Sequence, residues 1–396
     1  MEKKWVIYLA VWTLCGTTAL AEQEIPTFEN DVRPILKAHC FHCHGEGEEL
    51  ESGLDLRLKR FIEKGGDSGP AIIPGNGEES LLVDYLTSGV MPPDGTELRP
   101  SDAEIQRIKA WVDSGATVLN DEPESLPSGF HVTDQEKSHW AFQPIASPAP
   151  PTVNGTTNNG IDQFLLQKLE AAGLEMSPVA TRTKLIRRAY LDLLGIPPTP
   201  EQTDKFVNDS RPDAYPRLID ELLSHHSYGE RWGRHWLDIA GYADSEGMAD
   251  ADAIRNQAYR YRDYVIRSIN ADKPYDQFVR EQLAGDEMAT QPFKNMDSET
   301  IDLLTATGFL RMAPDGTGSG SPNTNIASNA VISATIKTVS TSLLGLTVGC
   351  AQCHNHRYDP ISQEEYYQFR AIFEPALNWN SWKTPQQRQI SLYTDA

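Results

Sequence analysis

Cys40-Phe41-His42-Cys43-His44, the first motif, has the same pattern as Cys350-Ala351-Gln352-Cys353-His354, the second motif. Each is a Cys-x-x-Cys-His run, which is typical of covalent haem attachment. Two thiols three positions apart can add to the two vinyl groups on one edge of a haem, and the imidazole that follows can then bind the iron. We therefore expect two c-type haems, the first attached through Cys40 and Cys43 and the second through Cys350 and Cys353, with His44 and His354 as iron ligands.

The two motifs contain four of the five cysteines in the chain. One alternative joins both cysteine pairs in a single zinc site with four thiolate ligands. That alternative gives no role to the two histidines that follow the thiols. Another alternative keeps haem at the first motif only.

The composition is that of a globular protein of two or three domains, with 396 residues, 39% hydrophobic and 23% charged. The net charge of −21 argues against nucleic-acid binding, which needs clustered Lys and Arg. An acidic surface can steer basic partners, although a solvated surface with no dedicated partner is the simpler interpretation.

Residues 1–21 predict a secretory signal peptide. Two lysines at 3–4 precede the apolar run 5–14, and Ala-Leu-Ala at 19–21 offers a cleavage site. The apolar run is too short to span a bilayer, and no later segment is long and apolar enough. We expect an exported, periplasmic or extracytoplasmic protein without a membrane span. Lipidation at Cys15 is an alternative that the bulky neighbour Leu14 disfavours.

Residues 22–120 predict a small helical domain. One helix should begin near Asn30 and end just before the first motif, and another should follow Ser101, where Glu104 completes a capping box. Gly115 fits the position after this second helix. The apolar positions of the two helices are Val32, Ile35, Leu36, Ile105, Ile108, Trp111 and Val112.

Met91, in the segment Gly89-Val90-Met91-Pro92-Pro93, is the predicted sixth ligand of the first iron. The two prolines hold this segment extended, so that it can cross to the far face of the haem. A lone methionine is more often part of a core. His39 and His42 are weaker candidates because they lie too close to the attachment site.

This first region resembles the planctomycete-type cytochrome c domain. Besides the first motif, the matching runs are residues 32–36, 52–57, 65–75, 80–82, 91–93 and 111–116. The resemblance implies a single-haem, class-I-like c-type fold with His44 and Met91 as axial ligands.

Residues 121–158 are rich in proline and predict a linker, in which His139-Trp140-Ala141-Phe142-Gln143-Pro144 is expected to dock on a domain surface.

Residues 159–378 predict a larger α-helical domain that contains the second motif, and 379–396 a tail. The helical apolar positions include Ile161, Phe164, Leu165, Leu185, Ile186, Tyr190, Leu218, Leu222, Tyr261, Val265, Phe278, Leu283, Tyr366 and Phe369. Thr199 and Ser362 are predicted helix N-caps.

The larger domain resembles the uncharacterised domain that follows the cytochrome in planctomycete multidomain proteins. The matching runs are residues 188–200, 228–238, 270–278, 345–350 and 356–361. Family members usually continue into a further C-terminal domain, so the resemblance implies a short or a truncated member.

His235 is the first choice for the sixth ligand of the second iron, because Trp232 and Trp236 beside it could form a haem pocket wall. Met312, His225 and His226 are alternatives, and so is an open position. His356 should lie on the proximal side, or form a small metal site with Asp359.

Electron transfer is the function that two such haems indicate. The alternative is a dihaem oxidoreductase, similar to a peroxidase, that takes its substrate at the second haem. The second domain has no nucleophile elbow or metalloprotease motif, which argues against a hydrolase. The sequence identifies neither the redox partner nor the oligomeric state.

Overall fold

The computed structural model describes residues 25–47, 49–96, 99–126, 129–247, 252–318 and 323–395. The expected signal peptide and Cys15 lie outside these ranges. Within them, no helix has the length and apolarity needed to cross a membrane. Regular structure in the described ranges is helical, apart from two isolated β-bridges at Gly66–Gly69 and Ser245–Ile254. The prediction of a mostly α protein is confirmed.

The chain forms two compact units. The first reaches Glu136 and also includes Arg357–Pro360, and the second comprises Lys137–His356 and the residues from Ile361 onward. The helices of the first unit are α1 (Arg33–His39), α2 (Lys59–Lys64), α3 (Leu81–Thr87) and α4 (Asp102–Asp113), and a π-helical turn (Phe28–Val32) runs into α1. The short helix α5 (Asp134–Lys137) lies where the first unit ends.

The two predicted helices of the first unit form and pack together. The Phe28 ring lies 5.6 Å from the Trp111 ring, and Arg107 donates to the Asp31 carboxylate at 2.6 Å. The capping box before α4 is present in both directions between Ser101 and Glu104. The π-helical turn with α1 therefore shares one core with α4, which includes Val32, Leu36, Ile108 and Val112.

Residues 121–126 and 129–136 pack onto the first unit, although the sequence predicts that a linker begins at 121. The Glu122 carboxylate accepts from the first two backbone amides of α2, at 2.5 and 3.1 Å. The Glu136 carboxylate accepts from Arg33 at 2.8 Å and from Lys37 at 2.5 Å, both on α1. These attachments are polar, so a reading of apolar periodicity does not reveal them.

The second unit is built from ten helices in the described residues. They are α6 (Gly160–Ala171), α7 (Arg182–Leu193), α8 (Pro200–Val207), α9 (Ala214–Leu223), α10 (His226–Ala240), α11 (Ala258–Asn270), α12 (Tyr275–Met288), α13 (Ser298–Ala306), α14 (Thr324–Val339) and α15 (Gln363–Ile372). Thr199 and Ser362 cap α8 and α15 as predicted.

Three apolar clusters hold this second unit together. The first joins α7, α8 and α9 through residues such as Ile186 and Phe206. The second, around Tyr264 and Phe309, joins the four helices α10, α11, α12 and α13. The third joins α14 and α15 and includes Ala351 of the second motif. This third cluster therefore fixes the second motif within the helical unit.

Three parts of the second unit differ from the sequence-based expectation. α6 forms, but Ile161 is 71% exposed and Leu166 is the buried member of the helix. Trp140 is 81% exposed, so its segment does not dock as predicted. The expected tail is attached, since Trp382 packs against the third cluster and Arg388 pairs with Asp315.

Candidate haem-binding sites

The first motif continues α1 by one more turn. The Cys40 amide donates to the carbonyl of Leu36 at 2.8 Å. The amides of Cys43 and His44 both donate to the carbonyl of Cys40, at 3.2 and 2.9 Å. The spacing of the motif is thus realised as one compact turn at the end of a packed helix.

The two cysteines of the first motif have different surroundings. Cys40 packs against the core of its unit, whereas Cys43 is exposed, and both are free thiols. Burial, with a further contribution from Cys43, raises the pKa of the Cys40 thiol to about 12. Cys40 is therefore a neutral thiol at neutral pH and a poor nucleophile towards Cys43.

His44 is half-buried, and its Nδ1 is fully buried without a hydrogen-bond partner in the described residues. Buried polar atoms in proteins are nearly always paired. Iron-binding histidines usually hold Nδ1 on an acceptor, so the unpaired Nδ1 is not itself a sign of iron; the ring nitrogen of His44 that would bind iron is Nε2. Together with Cys40 and Cys43, it supplies the donor set that a c-type haem requires.

Met91 lies half-buried in the segment after α3. Its amide donates to the carbonyl of Tyr85 at 3.0 Å. The competing candidate His39 is engaged by Glu104, whose carboxylate lies 3.5 Å from its Nε2, and His42 is exposed. Met91 therefore stays the predicted sixth ligand of the first iron.

The second motif lies at the end of a short 3₁₀ turn (Val348–Gln352). Cys350 and Cys353 are exposed free thiols. His354 Nδ1 lies 2.6 Å from the carbonyl oxygen of Asn355. Because a carbonyl can only accept, this nitrogen carries the proton and Nε2 carries the lone pair of the neutral ring. That tautomer is the one in which iron-binding histidines are usually held.

His356 is buried and holds the loop after the second motif. Its Nε2 lies 3.3 Å from the Thr347 hydroxyl, and its amide donates to the carbonyl of Ile361 at 2.8 Å. In the part of the chain that the structure describes, no three His, Cys, Asp or Glu side chains form a group able to hold a metal ion.

His235 lies on the exposed side of α10, where its ring contacts that of Trp232 edge-on at 5.3 Å. Trp236 faces the other way, into the core, and donates to the Tyr261 hydroxyl at 3.0 Å. The two tryptophans therefore do not form one pocket wall around His235. Iron binding by His235 stays a prediction.

The alternative ligands of the second iron are placed as follows. Met312 is 6% exposed and packs in the second apolar cluster. His225 and His226 stack on each other at 4.4 Å at the start of α10, and both are exposed. The second motif, by contrast, lies in a segment that packs against α14 and α15.

The sequence analysis did not identify three contacts that hold the second motif. The Gln363 amide donates to Asn355 Oδ1 at 3.0 Å, and the Gln363 side chain donates to the carbonyl of Gln352 at 3.1 Å. The Tyr367 hydroxyl donates to the same carbonyl at 3.2 Å. One signal was available, because the capping box at Ser362 places Gln363 at the first position of α15.

Comparison with protein families gives two matches. Residues 40–95 match the family described as Planctomycete cytochrome C, which implies a covalently bound haem c in the first unit. Residues 160–377 match the family described as a protein of unknown function (DUF1549). No curated protein and no solved structure matches the chain significantly. The second match spans more than half of the chain, which therefore belongs to the DUF1549 family and carries a planctomycete cytochrome c region ahead of that domain.

Proposed function

We propose that this chain is an exported c-type cytochrome that carries haem at both motifs and transfers electrons. The residues that would hold the haems are Cys40, Cys43, His44 and Met91 for the first, and Cys350, Cys353 and His354 for the second. The redox partner is a protein whose identity the chain does not specify.

His44, in the same turn as the free thiols of Cys40 and Cys43, is the observation that supports the proposal most strongly. It lies at the end of a Cys-x-x-Cys-His run within the residues that match Planctomycete cytochrome C. The free thiols of Cys40 and Cys43 complete the donor set in the same turn.

Bound haem supplies a one-electron iron couple. The chain contributes a fixed attachment turn: Cys40 is held against the core, while Cys43 lies at the surface. An exposed attachment point such as Cys43 would leave the attached haem accessible to a partner protein. A soft thioether ligand from Met91 would favour reduced iron and raise the potential.

Export is supported by the basic start, apolar run and Ala-Leu-Ala site in residues 1–21. Covalent haem attachment of this type takes place outside the cytoplasm, which fits an exported chain. The net charge of −21 favours a basic protein over an acidic one as redox partner.

A dihaem oxidoreductase is the second candidate function. The observation that favours it is that His235 is exposed and Met312 is part of an apolar cluster. If neither side chain reaches the second iron, its sixth position can take a substrate. Carbon monoxide binding by about half of the reduced haem would support this candidate, and no binding would support electron transfer alone.

An alkaline pyridine haemochrome spectrum, combined with iron analysis, tests the proposal. We expect the spectrum of thioether-linked haem and about two iron atoms per chain. A protein that carries zinc, or haem removable by acidic acetone, would contradict covalent attachment. Variant Cys43→Ala, with one thiol left in the first motif, should give the altered spectrum of singly attached haem.

A further inference from the structure

The first turn of α15 clamps the second motif at two points. Gln363 donates its backbone amide to Asn355 Oδ1 at 3.0 Å and its side-chain amide to the carbonyl of Gln352 at 3.1 Å. Tyr367, one turn further along α15, donates its hydroxyl to the same carbonyl at 3.2 Å. Gln352 lies between the two cysteines, so both the middle and the end of the motif are tied to one helix.

Asn355 occupies the central position in this arrangement. Its backbone carbonyl accepts from Nδ1 of His354 at 2.6 Å, and its side-chain oxygen accepts from the amide of Gln363. The residue that fixes the tautomer and the orientation of the His354 ring is therefore itself fixed by α15. α15 is in turn packed into the third apolar cluster through Tyr366.

The first motif lacks an equivalent arrangement. In the described residues, Nδ1 of His44 is buried and has no hydrogen-bond partner. A proximal histidine that donates Nδ1–H to a fixed carbonyl becomes a more basic ligand, whereas one without such an acceptor does not. A more basic ligand stabilises the more highly charged ferric iron and lowers the potential of its haem.

We propose that Asn355 is a positioning residue that lowers the potential of the second haem by holding the ring of His354. This inference rests on the proposed function, because it requires haem at the second motif. Asn355 acts through His354 and through its tie to Gln363. Asn355, a loop residue outside the Cys-x-x-Cys-His motif, would thereby help to set the reduction potential of the second haem.

Asn355→Ala tests the proposal in the full-length holoprotein. The variant keeps the backbone carbonyl but loses the anchor to α15, so the carbonyl should orient the ring less firmly. We expect the ratio of reduced to oxidised second haem at a fixed potential to rise about fivefold, which is about 40 mV for a one-electron couple. The potential of the first haem should not change, and it serves as an internal control.

Two further variants separate positioning from a general structural effect. Asn355→Asp keeps an oxygen acceptor for the Gln363 amide, so its second haem should not rise in potential. Gln368→Ala is the matched control on α15, because the Gln368 side chain donates to Glu364 rather than to the second motif. It should leave both potentials at their wild-type values.

Intact mass, recorded first, distinguishes failure of this inference from failure of the proposed function. If the wild-type mass shows no haem on the peptide that contains the second motif, the proposed second haem is wrong, and so is the role of Asn355. A wild-type protein with two haems, whose second potential is the same in Asn355→Ala, overturns the role of Asn355 alone. If Asn355→Ala fails to load haem, Gln363→Pro provides the measurement, because it removes the amide that holds the Asn355 side chain at the first position of α15, where proline is tolerated. A rise in the second potential supports the role of Asn355, and no change refutes it.

Discussion

Replacing Glu136 by Gln should loosen α1, the helix that leads into the first motif. The Glu136 carboxylate accepts from Arg33 at 2.8 Å and from Lys37 at 2.5 Å, and also from the amide and hydroxyl of Thr133. The side chains of Arg33 and Lys37 are 12% and 4% exposed. Gln preserves the shape of the side chain but removes the negative charge that pairs directly with these two cations.

The size of the effect follows from the pKa of Glu136. Burial would raise this pKa, but Arg33 and Lys37 outweigh burial and lower it from 4.5 to about 2. A lowering of this size corresponds to about 3 kcal/mol between the charged and the neutral carboxyl group. Solvent reaches part of Glu136, so screening reduces the loss on substitution to about 2 kcal/mol.

Hydrogen exchange of the α1 amides, read by mass spectrometry, measures this loss locally. A loss of about 2 kcal/mol corresponds to exchange about thirty times faster in the variant. Glu124→Gln is the control, because Glu124 is exposed in the same segment. Unchanged exchange in α1, or an equal effect of both variants, would refute the attachment of residues 121–126 and 129–136 to the first unit.

The stabilisation of α1 by the Glu136 carboxylate should decrease as the pH falls. A carboxyl group with a lowered pKa in the folded state adds stability above its unfolded pKa, and that stability is lost as the pH falls through the folded value. The difference between wild type and Glu136→Gln should therefore be full above pH 4.5 and should disappear towards pH 2. A difference that stays constant over this range would show that the charge of Glu136 is not the cause.

Three further outcomes are expected. Met91→Ala should remove the weak near-infrared methionine–iron band and lower the potential of the first haem. Met176→Ala, at an exposed methionine, is the control substitution. An unchanged band in Met91→Ala would mean that another residue is the ligand. His235→Ala should convert the second haem to high spin and open it to carbon monoxide if His235 binds its iron, with far-ultraviolet circular dichroism as the control for folding; an unaltered low-spin spectrum would exclude His235. Ser101→Ala should weaken α4 by about 1 kcal/mol, seen as faster amide exchange in its first turn, because the capping box is lost; equal exchange would show that the cap contributes nothing.

Helix positions were predictable because their signals are local. Ser101 with Glu104, and Ser362 with Glu365, form the reciprocal hydrogen bonds that their spacing predicts. Thr199 caps α8 in the same way. A capping box depends on four consecutive residues, so no information about the rest of the fold is needed to recognise it.

Contacts between distant segments were not predictable in the same way. The apolar spacing in α6 predicts a helix correctly, but it does not say whether a partner covers Ile161. His235 and Trp236 are consecutive, about 100° apart around a helix, so only one of them can face the core. The sequence does not decide which, and in the structure Trp236 packs, partly buried, against the second apolar cluster.

In the two candidate sites, too, some residues follow from local spacing and others depend on contacts between distant segments. Both motifs and their proximal histidines follow directly from the spacing of cysteine and histidine. The support of the second motif by Asn355 and Gln363 depends on how a loop meets the start of α15. The attachment of Glu136 to α1 joins residues about a hundred positions apart, and no local pattern marks it.

The intact mass of the protein, produced with a c-haem maturation system, tests covalent haem at both motifs most directly. We expect an excess of about two haems on wild type. Replacing both cysteines of either motif by alanine should leave an excess of about one haem. A wild-type mass equal to that of the bare polypeptide, under conditions in which a control cytochrome c is fully loaded, would contradict the assignment of this chain as a c-type cytochrome.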